Sequence, residues 1–294
     1  MLTDLEKIIT LAGILLLLSI GCSTSSATEP VSSQGEATGE LTVFAAASLT
    51  EAFREIAAAF ERDNPGVSVT FNFAGSQRLR TQLEQGAQAD VFASADWEQM
   101  NAVVASGLVS GGPVSFASNQ LVVLMSSAAL QDPSNPLWGE GGRQGSSARE
   151  EPGLEDLAQP GVRLVLALPS VPVGSYSRAV IENIGADPRF GSDYTHRVLA
   201  NVVSEETNVR NVAQKVALGE ADAGITYQTD AMVPDIAQRV QVIPIPEPLN
   251  VTASYPIASL EGSAQPELAQ AFIDFVQSNQ GQEILGRHGF GPAL

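Results

Sequence analysis

Cysteine is nearly missing from this chain: 294 residues carry one, Cys22, together with only two histidines. A disulfide framework and a Cys/His zinc centre are therefore excluded. Positive charge is scarce as well. Fifteen Lys and Arg against 33 Asp and Glu give a formal net charge of −18, which argues against recognition of nucleic acid through a basic surface. Only one apolar run stands out, Ile8–Ile20, and its 13 residues fall short of a membrane span. Enzyme signatures are missing too: there is no Gly-x-Ser-x-Gly elbow, no phosphate-binding Gly-x-x-x-x-Gly-Lys-Ser/Thr loop and no Gly-x-Gly-x-x-Gly. His196 and His288 lie in polar or glycine-rich contexts and read as surface or structural residues, and Arg210 reads as an ion-pair partner. What is present, 44% hydrophobic and 16% charged residues, describes a globular chain of one large domain or two ordinary ones.

The one cysteine has a place in a recognisable segment. A charged stretch ends at Lys7, the apolar run follows, then Gly21-Cys22, then a tract rich in Ser, Thr, Glu and Gly. That is the shape of a secretory leader, and Gly-Cys at its end resembles the lipobox of bacterial lipoproteins. Residues 1–22 are expected to be a lipoprotein signal peptide, with lipidation at Cys22 tethering the chain to the outer face of a membrane. Residues 23–39 are expected to be a flexible tether. A plain signal peptide or a single-pass anchor is the alternative.

From Leu41 onward short apolar runs alternate with amphipathic stretches. Leu41–Ala46, Val67–Phe73 and Ala89–Asp96 read as strands. Leu49–Arg62, with Leu49, Phe53, Ile56 and Phe60 at helical spacing, reads as a helix stopped by Asn64-Pro65-Gly66. Asn119–Met125, Val162–Leu168 and Ala223–Tyr227 are further strands, and helices are expected near 175–184, 208–218 and 265–279. Such alternation predicts doubly wound α/β lobes. Gln85–Ala93 is echoed by Leu218–Ile225: helix, Gly stop, Ala-Asp, buried strand. Two similar lobes would produce that echo. Lobe I is expected over 40–117 plus 247–294 and lobe II over 118–246, joined by hinge connections near Ser115–Gln120 and Pro244–Pro248. Gln131–Glu151, rich in Pro, Gly and Ser, reads as an exposed insertion.

The informative residues are small ones where strands turn into helices. Ser48-Leu-Thr-Glu51 reads as a capping box, and Ser76 repeats the arrangement after the second strand. Val171-Pro-Val-Gly174-Ser175 repeats it in lobe II, where Gly174 permits close backbone approach, and Asn208-Val209-Arg210 opens a fourth helix. Four helix N-termini converging on one cleft would present unpaired N–H groups and positive potential to an oxyanion without any lysine or arginine.

Phe44-Ala-Ala-Ala-Ser48-Leu-Thr-Glu-Ala-Phe, Phe73-Ala-Gly-Ser76, Ala89–Asp96, Val171-Pro-Val-Gly-Ser-Tyr, Asn208-Val-Arg, Gly219–Ala231, Tyr255-Pro-Ile-Ala and Arg287-His-Gly-Phe290 together resemble the periplasmic molybdate-binding proteins. The resemblance spans residues 40–294 in consistent order. It implies two α/β lobes of the periplasmic-binding-protein type and capture of molybdate or tungstate outside the membrane for an ABC permease, by a monomer with no catalytic role and no cofactor. It implies oxyanion ligation by Ser48, Ser76, Val173, Val209 and Tyr227, with Val173 and Val209 acting through their backbone N–H groups. The alternatives are a binder of sulfate or another tetrahedral anion, and an extracytoplasmic serine hydrolase using Ser48 or Ser76.

Overall fold

In the computed structural model of the chain, residues 39–139 and 152–294 are described. The expected leader, Cys22, the tether up to residue 38 and most of the 131–151 insertion lie outside them. The elements in chain order are β1 (Gly39–Ala46), α1 (Thr50–Asp63), β2 (Val67–Ala74), α2 (Ser76–Glu84), β3 (Val91–Ala93), α3 (Trp97–Ala105), β4 (Val109–Ser126), α4 (Ser127–Gln131), β5 (Leu164–Ala167), α5 (Pro172–Ala186), α6 (Tyr194–Ala200), β6 (Val202–Glu206), α7 (Val209–Ala217), β7 (Ala223–Tyr227), α8 (Gln228–Ala231), α9 (Pro234–Ala237), β8 (Val240–Pro244), β9 (Thr252–Leu260), α10 (Pro266–Gln277) and α11 (Asn279–Arg287). Short 3-10 turns occupy Ala47–Leu49, Pro136–Trp138, Leu154–Ala158 and Glu247–Leu249.

The strands run in the order β2-β1-β3-β9-β4-β7-β5-β6, with β8 also on β4. Each lobe has a parallel core, β2-β1-β3 in one and β6-β5-β7 in the other. Both cores differ from the purely parallel sheet that strand–helix alternation suggests, because β9 and β4 run antiparallel to their neighbours. β4 is shared. Its residues up to Gln120 pair with β9, and Leu121–Ser126 pair with β7 and β8. An 18-residue strand cannot follow one sheet while twisting through two. Its register accordingly shifts between Ser110 and Val114 and again between Ser115 and Ala117.

Local sequence explains the elements that set up the cleft. α1 buries Ala52, Phe53, Ile56, Ala59 and Phe60, a stripe at i, i+3 and i+4 spacing that meets Phe272 of α10 edge-on from Phe53 and Phe60. It ends at Asn64, whose side-chain amide donates to the Phe60 carbonyl at 2.8 Å. α7 buries Val209, Val212, Ala213 and Val216 against its own lobe.

The Ala-Asp echo has a structural counterpart. The Asp90 N–H donates to Thr42 O at 2.8 Å while its carboxylate accepts from Thr42 N–H at 2.7 Å. Asp222 makes the same pair with Arg163, at 2.8 Å each way. In each lobe a buried aspartate thus clasps backbone of a parallel strand, at Thr42 within β1 and at Arg163 just before β5, and satisfies a backbone donor there. Several elements were not legible from periodicity: α3, α4, α6, α8, α9, β6, β8 and β9. The closing helix is two, α10 and α11, broken at Ser278, whose hydroxyl accepts from Gly281 N–H.

Candidate functional site

Ser48, Ser76, Val173, Val209 and Tyr227 all line one narrow pocket. Ser48 and Ser76 come from the first lobe and the other three from the second. No lysine, arginine, aspartate or glutamate is among its lining residues.

Ser48 does not cap α1. It lies within the 3-10 turn, α1 has no side-chain cap, and Thr50 closes the turn by donating to Ala47 O at 2.7 Å. Glu51, the other half of the expected capping box, instead binds Arg210 at 2.7 Å. The box fails because the 3-10 turn shifts the start of α1 by one residue and makes Leu49 the N-cap. Ser48 Oγ, buried, faces the Tyr255 hydroxyl at 3.0 Å.

Ser76 is the first residue of α2, with Gly75 as its N-cap. Its Oγ accepts from Ala95 N–H at 3.0 Å, which fills a lone pair and leaves its hydrogen for the pocket. Gly75 is needed here: a Cβ on it would stand 2.5 Å from Thr207 O across the cleft. On the same side Gln77 donates to Thr207 O at 2.9 Å.

In the second lobe Val173 follows Pro172 in the first turn of α5. Its N–H therefore has no intrahelical acceptor. The turn sits hard against the end of β5, so a Cβ on Gly174 would come within 2.0 Å of Leu168 O. Val209 opens α7, whose N-cap Asn208 accepts from Asn211 N–H at 3.0 Å. The Val209 N–H, in the first turn, has no intrahelical acceptor.

Tyr227 ends β7 with 1% of its surface exposed, and its hydroxyl is buried without a hydrogen-bond partner among the described residues. Burial pushes this phenol well above its ordinary pKa, so it stays protonated and able to donate. An unpaired buried hydroxyl costs about 1–3 kcal/mol. It is the clearest sign that the pocket is shaped for something absent from the chain itself.

Arg210 stays out of the pocket, as an ion-pair partner. It bridges Glu51 of α1 at 2.7 Å and Asp230 of α8 at 3.5 Å, and so links the two lobes beside the cleft. Burial raises the Asp230 carboxyl to about 6 although Arg210 opposes the rise. His288 binds Glu55 at 2.7 Å and His196 is exposed; neither reaches the pocket. Sequence reasoning missed Tyr255, Asn119 and Ala95, which hold the two serines from behind. Nothing in local spacing marks them: Tyr255 lies 207 positions from Ser48, Asn119 lies 136 from Tyr255, and Ala95 lies 19 from Ser76.

The pocket brings together the hydroxyls of Ser48, Ser76 and Tyr227 and N–H groups at helix N-termini, with no carboxylate among its lining residues. Such a set suits an anion that presents acceptors on every side.

A model of the bacterial extracellular solute-binding protein family matches residues 41–291. The molybdate-binding protein ModA of Mycobacterium tuberculosis H37Rv is 38% identical over 271 residues, 92% of each chain. Its namesake in Escherichia coli K12 is 31% identical over 255 residues, 86% of this chain and 89% of that one. Among solved structures, the substrate-binding domain of a putative molybdenum ABC transporter from Clostridium difficile superposes with a TM-score of 0.59 at 26% identity, covering 87% of this chain and 99% of the other.

Proposed function

The chain belongs to the bacterial extracellular solute-binding protein family, and from that premise we propose that it captures molybdate, or tungstate, between its two lobes and delivers it to an ABC permease. The observation that carries the reading is the orphaned Tyr227 hydroxyl in an uncharged pocket walled by Ser48, Ser76 and the first turns of α5 and α7. The ligands are the hydroxyls of Ser48, Ser76 and Tyr227 and the N–H groups of Val173 and Val209. The protein works outside the cytoplasm as a monomer, held at the membrane surface by a lipid on Cys22.

Selectivity follows from a wall rich in donors and without a carboxylate acceptor. Molybdate, tungstate and sulfate carry no proton at neutral pH, so donors satisfy all their oxygens. Phosphate and arsenate keep a proton that needs an acceptor, and leaving it unpaired costs about 1–3 kcal/mol. Among the unprotonated anions size decides, and sulfate is too small to reach both lobes at once.

Thermal shifts with molybdate, tungstate, sulfate and phosphate test the reading. Ligand at a thousand times its Kd stabilises the fold by about 4 kcal/mol. A panel in which no oxyanion raises Tm ends the proposal, and phosphate displacing molybdate at comparable concentration at neutral pH ends the account of selectivity.

A further inference from the structure

The five nominated ligand residues are each 4% exposed or less and come from both lobes, so an anion enters or leaves only when the lobes part. Bonds that run directly from lobe to lobe therefore bear on how long an anion is kept. Two lie close to the ligand turns. Gln77, next to Ser76, donates to the carbonyl of Thr207, two residues before Val209. Arg210 Nη2 donates to Glu51 Oε2 at 2.7 Å, while Arg210 Nε lies 3.5 Å from Asp230 Oδ1.

The second of these has a regular placement. Glu51 stands three residues beyond Ser48 in the first turn of α1, Arg210 directly follows Val209 in α7, and Asp230 stands three residues beyond Tyr227 in α8. One guanidinium thus ties together three turns that carry ligands. Its planar fork of donors faces two carboxylates at once, which a lysine ammonium on a flexible stem does not do.

The two contacts differ in what they withstand. Arg210 and Asp230 both belong to the second lobe. Asp230 is 0% exposed, and among the described residues Arg210 is the one cation it meets. Separating them would leave a buried carboxylate uncompensated, so this pair stays together whatever the lobes do. Glu51 belongs to the first lobe, and 34% of its side chain is exposed, in a groove it shares with Thr50, Arg210 and Gln214. Water takes the place of Arg210 there at little cost. Opening the cleft therefore parts Arg210 from Glu51 and leaves it seated on Asp230.

We infer that Arg210 is a positioning residue: seated on Asp230, it grips Glu51 only in the closed form, draws the Ser48, Val209 and Tyr227 turns together, and so sets how slowly a captured anion is released. The inference rests on the oxyanion-binding reading above and adds to it the residue that governs retention. The sign of the effect separates this role from a plain field effect. Glu51 brings a negative charge near an anion, so through the field alone its neutralisation would hold the anion more tightly. As the grip for Arg210, its neutralisation lets the anion go faster.

The test uses the full chain and labelled molybdate at neutral pH, with release followed after dilution into excess unlabelled molybdate. Glu51→Gln should release the anion about two- to fivefold faster, the range of one partly exposed ion pair, with the association rate little changed. Arg210→Lys keeps a cation for the buried Asp230 and should speed release by a similar factor. Combining the two should add nothing further, because both break the same link. Glu55→Gln, one turn along α1, neutralises a carboxylate whose partners Arg287 and His288 lie in its own lobe, and should not speed release. Unchanged or slower release from Glu51→Gln overturns the inference. So does equal acceleration in Glu55→Gln, or a double variant in which the two factors multiply. Wild-type protein that takes up no molybdate removes the oxyanion reading itself, and the inference with it.

Discussion

Replacing Tyr227 by phenylalanine removes one oxygen from the molecule and should separate binding from stability. The hydroxyl is buried, lines the pocket and has no partner in the chain, so its loss breaks no internal hydrogen bond. Towards an anion it would make a charge-assisted bond worth about 1.5–3 kcal/mol. At 1.4 kcal/mol per decade that is a fall in affinity of about 10- to 150-fold. The consequence for heat stability follows directly. Molybdate at a thousand times the wild-type Kd stabilises the wild type by about 4.1 kcal/mol, but it stands at only about 7 to 100 times the Kd of the variant and stabilises that by about 1.2 to 2.7 kcal/mol. For a chain of this size each kcal/mol moves Tm by about 2 °C or slightly less, so the ligand-induced rise should shrink by a few degrees. The ligand-free Tm should not fall, because an unpaired buried hydroxyl stabilises nothing. Calorimetric titration and ligand-free melting decide the matter. Unchanged affinity, or a ligand-free Tm lowered as much as the liganded one, would show that Tyr227 is a packing residue.

Three further outcomes are expected. Ser76→Asp should still accept from Ala95 N–H and fold normally, yet show no molybdate binding by calorimetry, because a carboxylate facing an anion costs about 4 kcal/mol per charge pair at 4 Å and an effective dielectric of 20; a retained thermal shift contradicts this. Gly174→Ala should lower stability by about 1–3 kcal/mol and weaken binding, since its methyl would sit 2.0 Å from Leu168 O and must push the α5 terminus that carries the Val173 N–H. Normal affinity in urea-stable protein would show that the terminus is not a ligand. Asp230, raised by burial to about 6 from an ordinary 3.8, holds more protons folded than unfolded between those values, so its contribution to stability falls as pH rises from about 4 to about 6 and is level above. Asp96, also raised to about 6 by burial, adds to the same slope. Asp230→Asn should therefore gain on the wild type as pH rises across that window in urea melts, and a constant difference refutes the assignment.

What the sequence determined by itself is mostly local. Stripes such as Phe53, Ile56 and Phe60 dictate α1 because a 3.6-residue period admits one buried face, and Asn64-Pro65-Gly66 ends it. Runs such as Leu121–Met125 dictate strands because both faces are buried. That Ser48, Ser76, Gly174 and Asn208 mark strand-to-helix turns was legible locally, whereas Val173, Val209 and Tyr227 were nominated through the resemblance; all five nominated positions line one pocket. The Ala-Asp echo was visible locally as well, as each aspartate is held next to its own strand. Tertiary structure alone decided how these pieces meet. The length of β4 and its switch from β9 to β7 and β8 depend on pairing partners more than a hundred residues away. Ser48 lost its expected capping role to a 3-10 turn, and Glu51 left the box for Arg210 in the other lobe. The Ser48 hydroxyl meets its hydrogen-bond partner in Tyr255, 207 residues on. Helix propensity and apolar period act over one or two turns, whereas a hydrogen bond between lobes exists only once the chain has folded back on itself, and nothing in the spacing of its two ends announces it.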